Sequence, residues 1–452
     1  MHISQVYAYS TGLLALDPEA LSMSTTLART RATAARTVHL LAVTAPSIGG
    51  RGGQFLMLTL LATFVTPAQY GHFVVLQSLV VGTASILGST SAVTVNAATS
   101  RVPGAQDIPV LVMVPVMLRG RLRVLTIGAI CASVIVPAGV VLVTGVWPTA
   151  TELVGLAALG LGSGALPVGD AVVAVVAGSG RYFGASVIDA TRALVGAAAA
   201  FSGVVLFGPI GGGFGLILAD LALLAVIAAA AVAAGRWGPP VDISVAPPRE
   251  GMVAGIIANI TGQAGAWILL FGIQLVGGPG ALGVYGLANR FASVITLAPV
   301  YFGKTVIGQL REDAPADRRW SSKGFLIMLA GVSVVAAALA FTVLVLGFPN
   351  LIHAYPGLLP VTVTMLAATV LRALLIGIGY ICVARRRWRT WVVADVVSLI
   401  VTAAGVGIVW GTGGGLIGMV LVFAFGNAAG VTVRLIGGRR RPVNFACTGM
   451  PR

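Results

Sequence analysis

The chain has 452 residues, of which 57% are hydrophobic and only 9% are charged. Soluble domains carry about 25% charged residues, so this composition excludes an ordinary soluble protein and indicates an integral membrane protein. The formal net charge of +15 alone would suit a nucleic-acid-binding protein, but the distribution of the basic residues excludes that interpretation.

Twelve apolar segments are each long enough to cross a bilayer as an α-helix, which takes about 20 residues. Their lengths and their abundance of Ala, Val, Leu and Gly favour helices over barrel strands. We therefore predict an all-α integral membrane protein. The predicted spans are residues 40–65, 71–95, 124–145, 152–177, 184–207, 212–235, 252–276, 283–306, 325–347, 359–383, 391–410 and 415–435.

An internal repeat divides the chain into two halves. A stretch at residues 51–77 contains Pro67, and a degenerate second copy at residues 262–290 contains Pro279. From each proline, a glycine follows at four residues, an aromatic residue at six and an amide at ten. These positions are Gly71, Phe73 and Gln77 in the first copy, and Gly283, Tyr285 and Asn289 in the second. Two copies in one chain predict two related units.

Each unit contains six predicted spans, and an even number gives both units the same orientation. We therefore predict two six-helix bundles related by a pseudo-two-fold axis along the membrane normal. The predicted domains are a cytoplasmic tail 1–37, an N-lobe 38–235, a proline-rich cytoplasmic linker 236–250, a C-lobe 251–436 and a cytoplasmic tail 437–452. Residues 1–22 are weakly patterned, and no cleavable secretion signal is predicted.

Basic residues are confined to the tails and alternate loops, apart from a few arginines inside spans. The other connections, near residues 67, 148, 209, 280, 353 and 413, contain no Lys or Arg. This positive-inside pattern predicts a multi-pass protein of the cell membrane with both termini and the basic loops in the cytoplasm. The net charge then faces anionic lipid, and no nucleic-acid partner is predicted. An apolar run at 108–118 within a basic loop predicts an interfacial helix.

The arginines inside predicted spans include Arg51, Arg192, Arg290 and Arg372. Each costs about 2.5 to 3.5 kcal/mol at a helix centre, so we expect them to face a cavity or a partner. Structural explanations exist for some of them. Asp189 precedes Arg192 by three residues and predicts an intrahelical pair, Asp220 is a candidate partner for Arg372, and Arg51 could snorkel to the headgroups.

Polar side chains share helical faces in three spans. The faces comprise Ser47, Arg51 and Gln54 in span 1, Asn259, Gln263 and Gln274 in span 7, and Arg290, Ser293, Tyr301 and Lys304 in span 8. Hydrogen bonds between helices, worth about 0.6 kcal/mol each, are one explanation. Because the faces are enriched in cations, they also predict a cavity that suits an anion, especially phosphate.

The segments ATFVTPAQYGHFVVLQSL, GGPGALGVYGLANRF and GSGRYFGASVIDATRALVG resemble the polysaccharide-biosynthesis flippases. These are the Wzx-like members of the multidrug/oligosaccharidyl-lipid/polysaccharide (MOP) exporter superfamily, and the resemblance covers residues 38–436. It implies two six-helix bundles around a central cavity and transfer of undecaprenyl-pyrophosphate-linked sugars to the outer leaflet. The family's cationic cavity residues carry over to Arg51 and Arg290.

We therefore predict a flippase that works by alternating access, and no enzyme, cofactor or metal site. Expected partners are a lipid-linked glycan, membrane lipids and glycan polymerases or glycosyltransferases of the same pathway. The predicted substrate-binding residues are Arg51, Gln54, Asn259, Gln263, Arg290, Lys304 and Arg372. The candidates for ion coupling are Asp170, Asp189 and Asp220.

Two alternatives stay open at this stage. A multidrug or small-molecule antiporter of the same superfamily would need an acidic site, and spans 1 and 7 contain no Asp or Glu. A membrane-embedded polysaccharide polymerase or glycosyltransferase would need catalytic acids or a His and Arg constellation on a loop. The predicted outer loops offer only Glu152 and His353.

Overall fold

The computed structural model describes residues 42–99, 109–119, 122–233, 249–306, 310 and 321–439. Throughout these ranges the chain forms helices and turns and no strand. Eight stretches within them have the length and apolar composition of a membrane-crossing helix. The predicted all-α membrane fold is thus confirmed. The predicted tail 1–37, most of the linker 236–250 and most of the tail 437–452 lie outside the described residues.

The helices have the following bounds. α1 covers residues 42–64, and it is followed by α2 Pro67–Thr99, α3 Val110–Arg119, α4 Leu122–Thr144, α5 Ala150–Gly162, α6 Ala165–Gly178, α7 Tyr182–Ala233, α8 Arg249–Val306, α9 Ser322–Thr342, α10 Pro349–Ala354, α11 Leu358–Ala384, α12 Trp388–Gly411 and α13 Leu416–Arg439. A π-helical turn, Val343–Gly347, extends α9.

Two of these elements, α7 and α8, each consist of two helices joined at a reversal. Gly208 and Gly278 have φ angles of 74° and 66°, a left-handed conformation that only glycine adopts readily. A proline follows each glycine and starts the returning helix. In α7, Gly203 packs against the backbone of Gly211, so α7 forms a hairpin.

Contacts with α2 show the same reversal in α8. Gly82 of α2 lies beside Gln263, before the reversal, whereas Val74 and Pro67 lie beside Gly286 and Gly283, after it. The first half of α8 therefore runs antiparallel to α2 and the second half parallel to it. Each of α7 and α8 supplies two spans, as the sequence predicts.

The predicted single span 152–177 is instead two helices, α5 and α6, separated by a short turn at Ser163 and Gly164. Gly160 packs against the backbone of Ala132 in α4, and the Ser163 hydroxyl donates to the Gly160 carbonyl at 2.6 Å. This side-chain bond competes with the regular helical ladder. Together α5 and α6 still form one apolar stretch long enough to cross a membrane.

We call α1–α7 the N-lobe and α8–α13 the C-lobe. We call the end of the molecule with the turns near residues 66, 147, 208, 278, 356 and 413 the neutral end, because these turns contain no Lys or Arg, and the opposite end the basic end. The largest apolar core extends through both lobes, with Phe73 and Phe291 among its fully buried members. The helix predicted at 108–118 is observed as α3, where Met113 and Met117 belong to the same buried cluster as α6 residues.

The two copies of the sequence repeat touch each other at the neutral end. A Cβ atom on Gly71 would collide with the carbonyl oxygen of Pro279, and one on Gly283 would collide with the carbonyl oxygen of Pro67. The contact is reciprocal, as expected around a two-fold axis. Val74 and Gly286, which occupy matching repeat positions, also meet. The repeat therefore forms the joint between the lobes.

Candidate functional site

Arg51 on α1 pairs with Asp189 on α7. Its Nη2 lies 2.8 Å from Asp189 Oδ1, and its Nη1 donates to Gln54 Oε1 at 3.1 Å. The Arg51 side chain is 37% exposed and that of Asp189 only 12%. Arg51 thus has a carboxylate partner inside the membrane protein while part of its guanidinium stays accessible.

Small residues bring α1 and α7 close enough for this pair. Gly50 lies against the backbone of Ala190, and one turn nearer the basic end the Ser47 N–H donates to Ser186 Oγ at 2.9 Å. Because residues three or four positions apart share a helix face, these contacts position the Arg51 and Asp189 side chains opposite each other.

Arg192 forms the second charged group of the N-lobe. Its Nε donates to Asp220 Oδ1 at 2.6 Å, and its Nη2 lies 3.2 Å from Asp170 Oδ1. Asp220 is 4% exposed and Asp170 is 51% exposed. Gly169 makes room for this group, since a Cβ there would overlap both Asp220 and Arg192.

The intrahelical pair predicted between Asp189 and Arg192 is wrong. Asp189 is directed at Arg51 on α1, whereas Arg192 is directed at α6 and the second half of α7. Arg51 and Arg192 each form a direct hydrogen bond with a carboxylate of another helical segment in an apolar environment. Two oppositely charged residues three positions apart on one helix surface interact more weakly.

Arg290, on the second half of α8, crosses from the C-lobe to the N-lobe. Its Nε donates to the hydroxyl of Tyr70 at 2.9 Å, and its Nη2 donates to Gln77 Oε1 at 2.8 Å. Tyr70 in turn donates to the Leu58 carbonyl at 3.3 Å. Among the described residues, no carboxylate forms a salt bridge with Arg290, so its half-buried charge is solvated by neutral acceptors of the opposite lobe.

Several neutral contacts accompany the Arg290 bonds. Trp267 Nε1 donates to the Ser78 carbonyl at 3.3 Å, Phe55 packs edge-on against Phe291 with ring centroids 5.2 Å apart, and Tyr355 donates to the Ala62 carbonyl at 2.9 Å. We call this set, together with the glycine contacts of the repeat, the inter-lobe seam. It ties the lobes together in the half of the molecule nearer the neutral end.

The C-lobe holds a buried ion pair of its own, between Arg434 and Asp395. Arg434 is 3% exposed, and its Nη2 lies 2.5 Å from Asp395 Oδ1, while its Nη1 donates to the Leu375 carbonyl. Sequence reasoning missed both members, which lie near the basic-end limits of spans 391–410 and 415–435. The available signal was one opposite charge in each of two neighbouring apolar spans.

Arg372 lies near the middle of α11, with its guanidinium 5.4 Å from the centre of the Phe423 ring. The predicted partnership with Asp220 is wrong, since Asp220 belongs to the other lobe and is bonded to Arg192. Asp395 is near enough to attract Arg372 electrostatically but is bonded to Arg434. Arg372 thus relies on an aromatic face rather than a carboxylate.

The predicted site residues therefore bond in several groups, of which the Arg51 and Arg192 groups lie near enough for Arg51 to attract Asp220 electrostatically. Gln263 contacts α2 of the N-lobe at Gly82. Asn259, about one turn away on the same helix, is half-buried. Gln274 shares no contact with them and donates to the Thr144 carbonyl near the neutral end. The Lys304 and Tyr301 side chains lie outside the described part of α8.

A groove between α5 and the two halves of α7 lies apart from all of these groups. Glu152 contributes to its wall, and the remaining lining is mostly apolar or glycine. None of the predicted site residues lines it, so we do not assign the candidate site there.

No protein-family profile matches the chain, and no curated protein matches it. Solved structures do match. An inward-facing multidrug resistance MATE transporter of the MOP superfamily has a TM-score of 0.59 at 14% identity, covering 86% of this chain and 94% of that chain. The lipid II flippase MurJ in an inward closed conformation has a TM-score of 0.58 at 13% identity, covering 89% and 88%.

A MOP superfamily transporter from Pyrococcus furiosus, described as having a binding pocket of reverse polarity, has a TM-score of 0.54 at 13% identity. It covers 88% of this chain and 94% of that chain. The chain therefore has the fold shared by MOP superfamily transporters along most of its length. At these identities the likeness extends to the fold, and the function must be argued from the site.

Proposed function

We propose that this protein is a flippase that moves an anionic, lipid-linked glycan precursor across the membrane by alternating access. The observation that carries the proposal is the charge balance of the C-lobe. Arg290 and Arg372 lie within spans, and neither forms a salt bridge with a carboxylate of the described residues. Uncompensated cations inside a membrane protein indicate a cargo that brings its own negative charge.

Arginine suits a phosphate or pyrophosphate headgroup, because its planar guanidinium donates two parallel hydrogen bonds to such groups. In this proposal Arg51 and Arg290 bind the pyrophosphate. Gln54, which accepts a bond from Arg51, lines the path together with Asn259, Gln263 and Lys304, and Arg372 supplies further positive charge within the C-lobe.

The inter-lobe seam supports the transport cycle in this proposal. If the basic end is cytoplasmic, as the loop charges predict, the seam closes the outer side of the molecule in this conformation. Cargo would bind from the cytoplasm and leave after the lobes rock apart at the seam, while the lipid tail stays in the bilayer. An inside-negative potential favours export of anions by about 2.3 kcal/mol per charge per 100 mV.

A multidrug antiporter is the second candidate, because MATE transporters share this fold. A cationic drug or coupling ion would require an available carboxylate. Four aspartates lie within the described spans, namely Asp170, Asp189, Asp220 and Asp395, and each one is paired with an arginine. This pairing favours an anionic cargo, and ion coupling through Asp170, Asp189 or Asp220 would require a pair to open.

Transport by the purified chain in proteoliposomes tests the proposal. A polyprenyl pyrophosphate carrying a fluorescent sugar should cross the bilayer faster than in protein-free vesicles, as measured with a membrane-impermeant quencher. The neutral polyprenol-linked sugar should not. Accumulation of a cationic dye without movement of the pyrophosphate would overturn the flippase proposal in favour of the multidrug antiporter.

A further inference from the structure

Arg290 is both a proposed ligand of the cargo and the charged contact of the inter-lobe seam. We infer that Tyr70 and Gln77 are positioning residues that hold Arg290 until an anionic headgroup displaces them, so that headgroup binding releases the lobes at the neutral end. We call Arg290, Tyr70 and Gln77 the latch. The inference rests on the proposed function and adds how cargo binding opens the seam.

The geometry leaves part of the guanidinium available. Nε and Nη2 are bonded to Tyr70 and Gln77, whereas Nη1 has no hydrogen-bond partner among the described residues and is not a buried unsatisfied atom. A phosphate oxygen can therefore contact Nη1 while the latch is closed. A bidentate contact uses a second donor, and that donor must leave Tyr70 or Gln77.

The exchange favours the anion because both latch acceptors are neutral. The bonds to Tyr70 and Gln77 already have an ionised donor, and a phosphate adds a negative charge opposite the guanidinium and a bidentate geometry, so it attracts Arg290 more strongly. A ligand shifts a conformational equilibrium only by its difference in affinity for the two states. The released state offers the headgroup more of the guanidinium than the latched state, so a pyrophosphate shifts the population towards release.

Release of Arg290 removes bonds that lie beside the other contacts of the inter-lobe seam. Tyr70 is fully buried and its ring lies 6.3 Å from that of Tyr355, whose hydroxyl donates to the Ala62 carbonyl of the opposite lobe. Gly71, which carries the reciprocal backbone contact of the repeat, is the next residue. The other seam contacts are apolar or end on backbone carbonyls, so the latch is the contact for which an anionic cargo can compete.

The latch exists on one side of the pseudo-symmetric joint. The position in the N-lobe that matches Arg290 is Ser78, and its carbonyl accepts the Trp267 indole N–H. The latch thus depends on Arg290 of the C-lobe, which has no counterpart in the N-lobe copy of the repeat. Arg290 is therefore the residue to test.

The test uses the full chain in lipid nanodiscs, with its native cysteines replaced by serine and spin labels at Thr66→Cys and Gly280→Cys across the seam. Farnesyl pyrophosphate is the probe and farnesol the neutral control. We expect farnesyl pyrophosphate, but not farnesol, to lengthen the distance between the labels. Because Gln77→Leu and Tyr70→Phe populate the released state without ligand, they should bind the probe about threefold to tenfold more tightly.

Two variants complete the design. Gln69→Leu, made in the chain without spin labels, removes another amide of α2 whose side chain bonds only to Thr66 among the described residues, and it should leave the probe affinity unchanged. Arg290→Met should weaken probe binding and abolish the probe-dependent lengthening. Because this variant also removes the bonds to Tyr70 and Gln77, the distance without ligand in Gln77→Leu, which should be longer than in the parent chain, provides an independent readout.

The outcomes separate the latch from the proposed function. If farnesyl pyrophosphate binds the parent chain but the seam distance stays constant, the latch is wrong and the flippase proposal stands. If Gln77→Leu and Gln69→Leu bind the probe equally, the latch is also wrong. If a folded parent chain does not bind the probe at all, the proposed anion site fails and the latch fails with it.

Discussion

The two lobes have similar helix arrangements but differ in how the charged side chains within the membrane are paired. More than one turn from the helix ends, the described spans of the N-lobe hold two arginines and three aspartates, a net charge of −1, and each arginine is bonded to an aspartate. Those of the C-lobe hold three arginines, Arg290, Arg372 and Arg434, and one aspartate, Asp395, a net charge of +2.

This difference indicates separate roles for the buried ion pairs and the other arginines. In a buried ion pair the two charges neutralise each other. Removing one partner destabilises the fold, because it leaves an unpaired buried charge. A cation without a carboxylate needs an acceptor from elsewhere, and in this conformation Arg290 obtains one from the other lobe. The buried pairs Arg192–Asp220 and Arg434–Asp395 are therefore expected to control stability. Arg290 and Arg372, with the partly exposed Arg51, are expected to control anion binding, and Arg290 also controls the approach of the lobes.

The largest expected effect comes from breaking the most buried N-lobe pair. Asp220→Ala leaves Arg192, which is 11% exposed, with only the half-exposed Asp170, and should destabilise the protein by about 3 to 5 kcal/mol. Thermal unfolding in detergent measures the loss. Asp170→Asn is the matched control and should have a much smaller effect, and adding Arg192→Met to Asp220→Ala should recover much of the stability.

The next effect concerns the joint that both lobes share. Gly283→Ala places a Cβ against the backbone carbonyl of Pro67, which cannot move aside as a side chain can, and should cost about 1 to 3 kcal/mol. Gly280→Ala is the control, because a Cβ there meets nothing within 4 Å. Equal melting temperatures for the two variants would contradict the close approach of the repeats.

Within the C-lobe, variants of Arg372 and Arg434 should distinguish an effect on anion binding from an effect on stability. Arg372→Met removes a cation that has no salt bridge, so it should weaken farnesyl pyrophosphate binding about tenfold, which corresponds to about 1.4 kcal/mol, with little change in melting temperature. Arg434→Met leaves Asp395 without its partner and should lower the melting temperature instead. Loss of stability in both variants would show that Arg372 is structural.

The smallest effect is a pH dependence at the neutral end of the N-lobe. Thr149 donates its backbone N–H and hydroxyl to Glu152, and these bonds hold the pKa of the Glu152 carboxyl below its usual 4.5. The capping box contributes its stabilisation above that value and loses it as the pH falls through the lowered pKa. In the C-lobe, the N-cap of α11 is Gly357, which provides no side-chain hydrogen bond.

Glu152→Gln should therefore lower the melting temperature slightly at pH 7, and the difference from the parent chain should shrink as the pH falls through the lowered pKa of the Glu152 carboxyl. His353→Gln, at the neutral end of the C-lobe, removes no capping box and serves as the comparison at pH 7. A difference between Glu152→Gln and the parent chain that does not shrink as the pH falls below 4.5 would contradict the capping role.

Much of the architecture was predictable because it depends on properties that are local in sequence. The length of each apolar segment defines a span. The structure contains the predicted span 184–207 in the first helix of the α7 hairpin, and the predicted span 283–306 in the second helix of the α8 hairpin. The repeat around Pro67 and Pro279 predicts two halves. The sequence also places Arg51, Arg192, Arg290 and Arg372 within the membrane.

The partners of those arginines were decided only by the tertiary structure. Helical periodicity shows which face of a span is polar but does not show which helix lies opposite. Asp189 is three residues from Arg192 yet bonds to Arg51, and Arg290 reaches Tyr70 and Gln77 in the other lobe, more than 200 residues away. In an apolar interior a charge is stabilised by the nearest acceptor in space, and only the packing of the helices determines that neighbour.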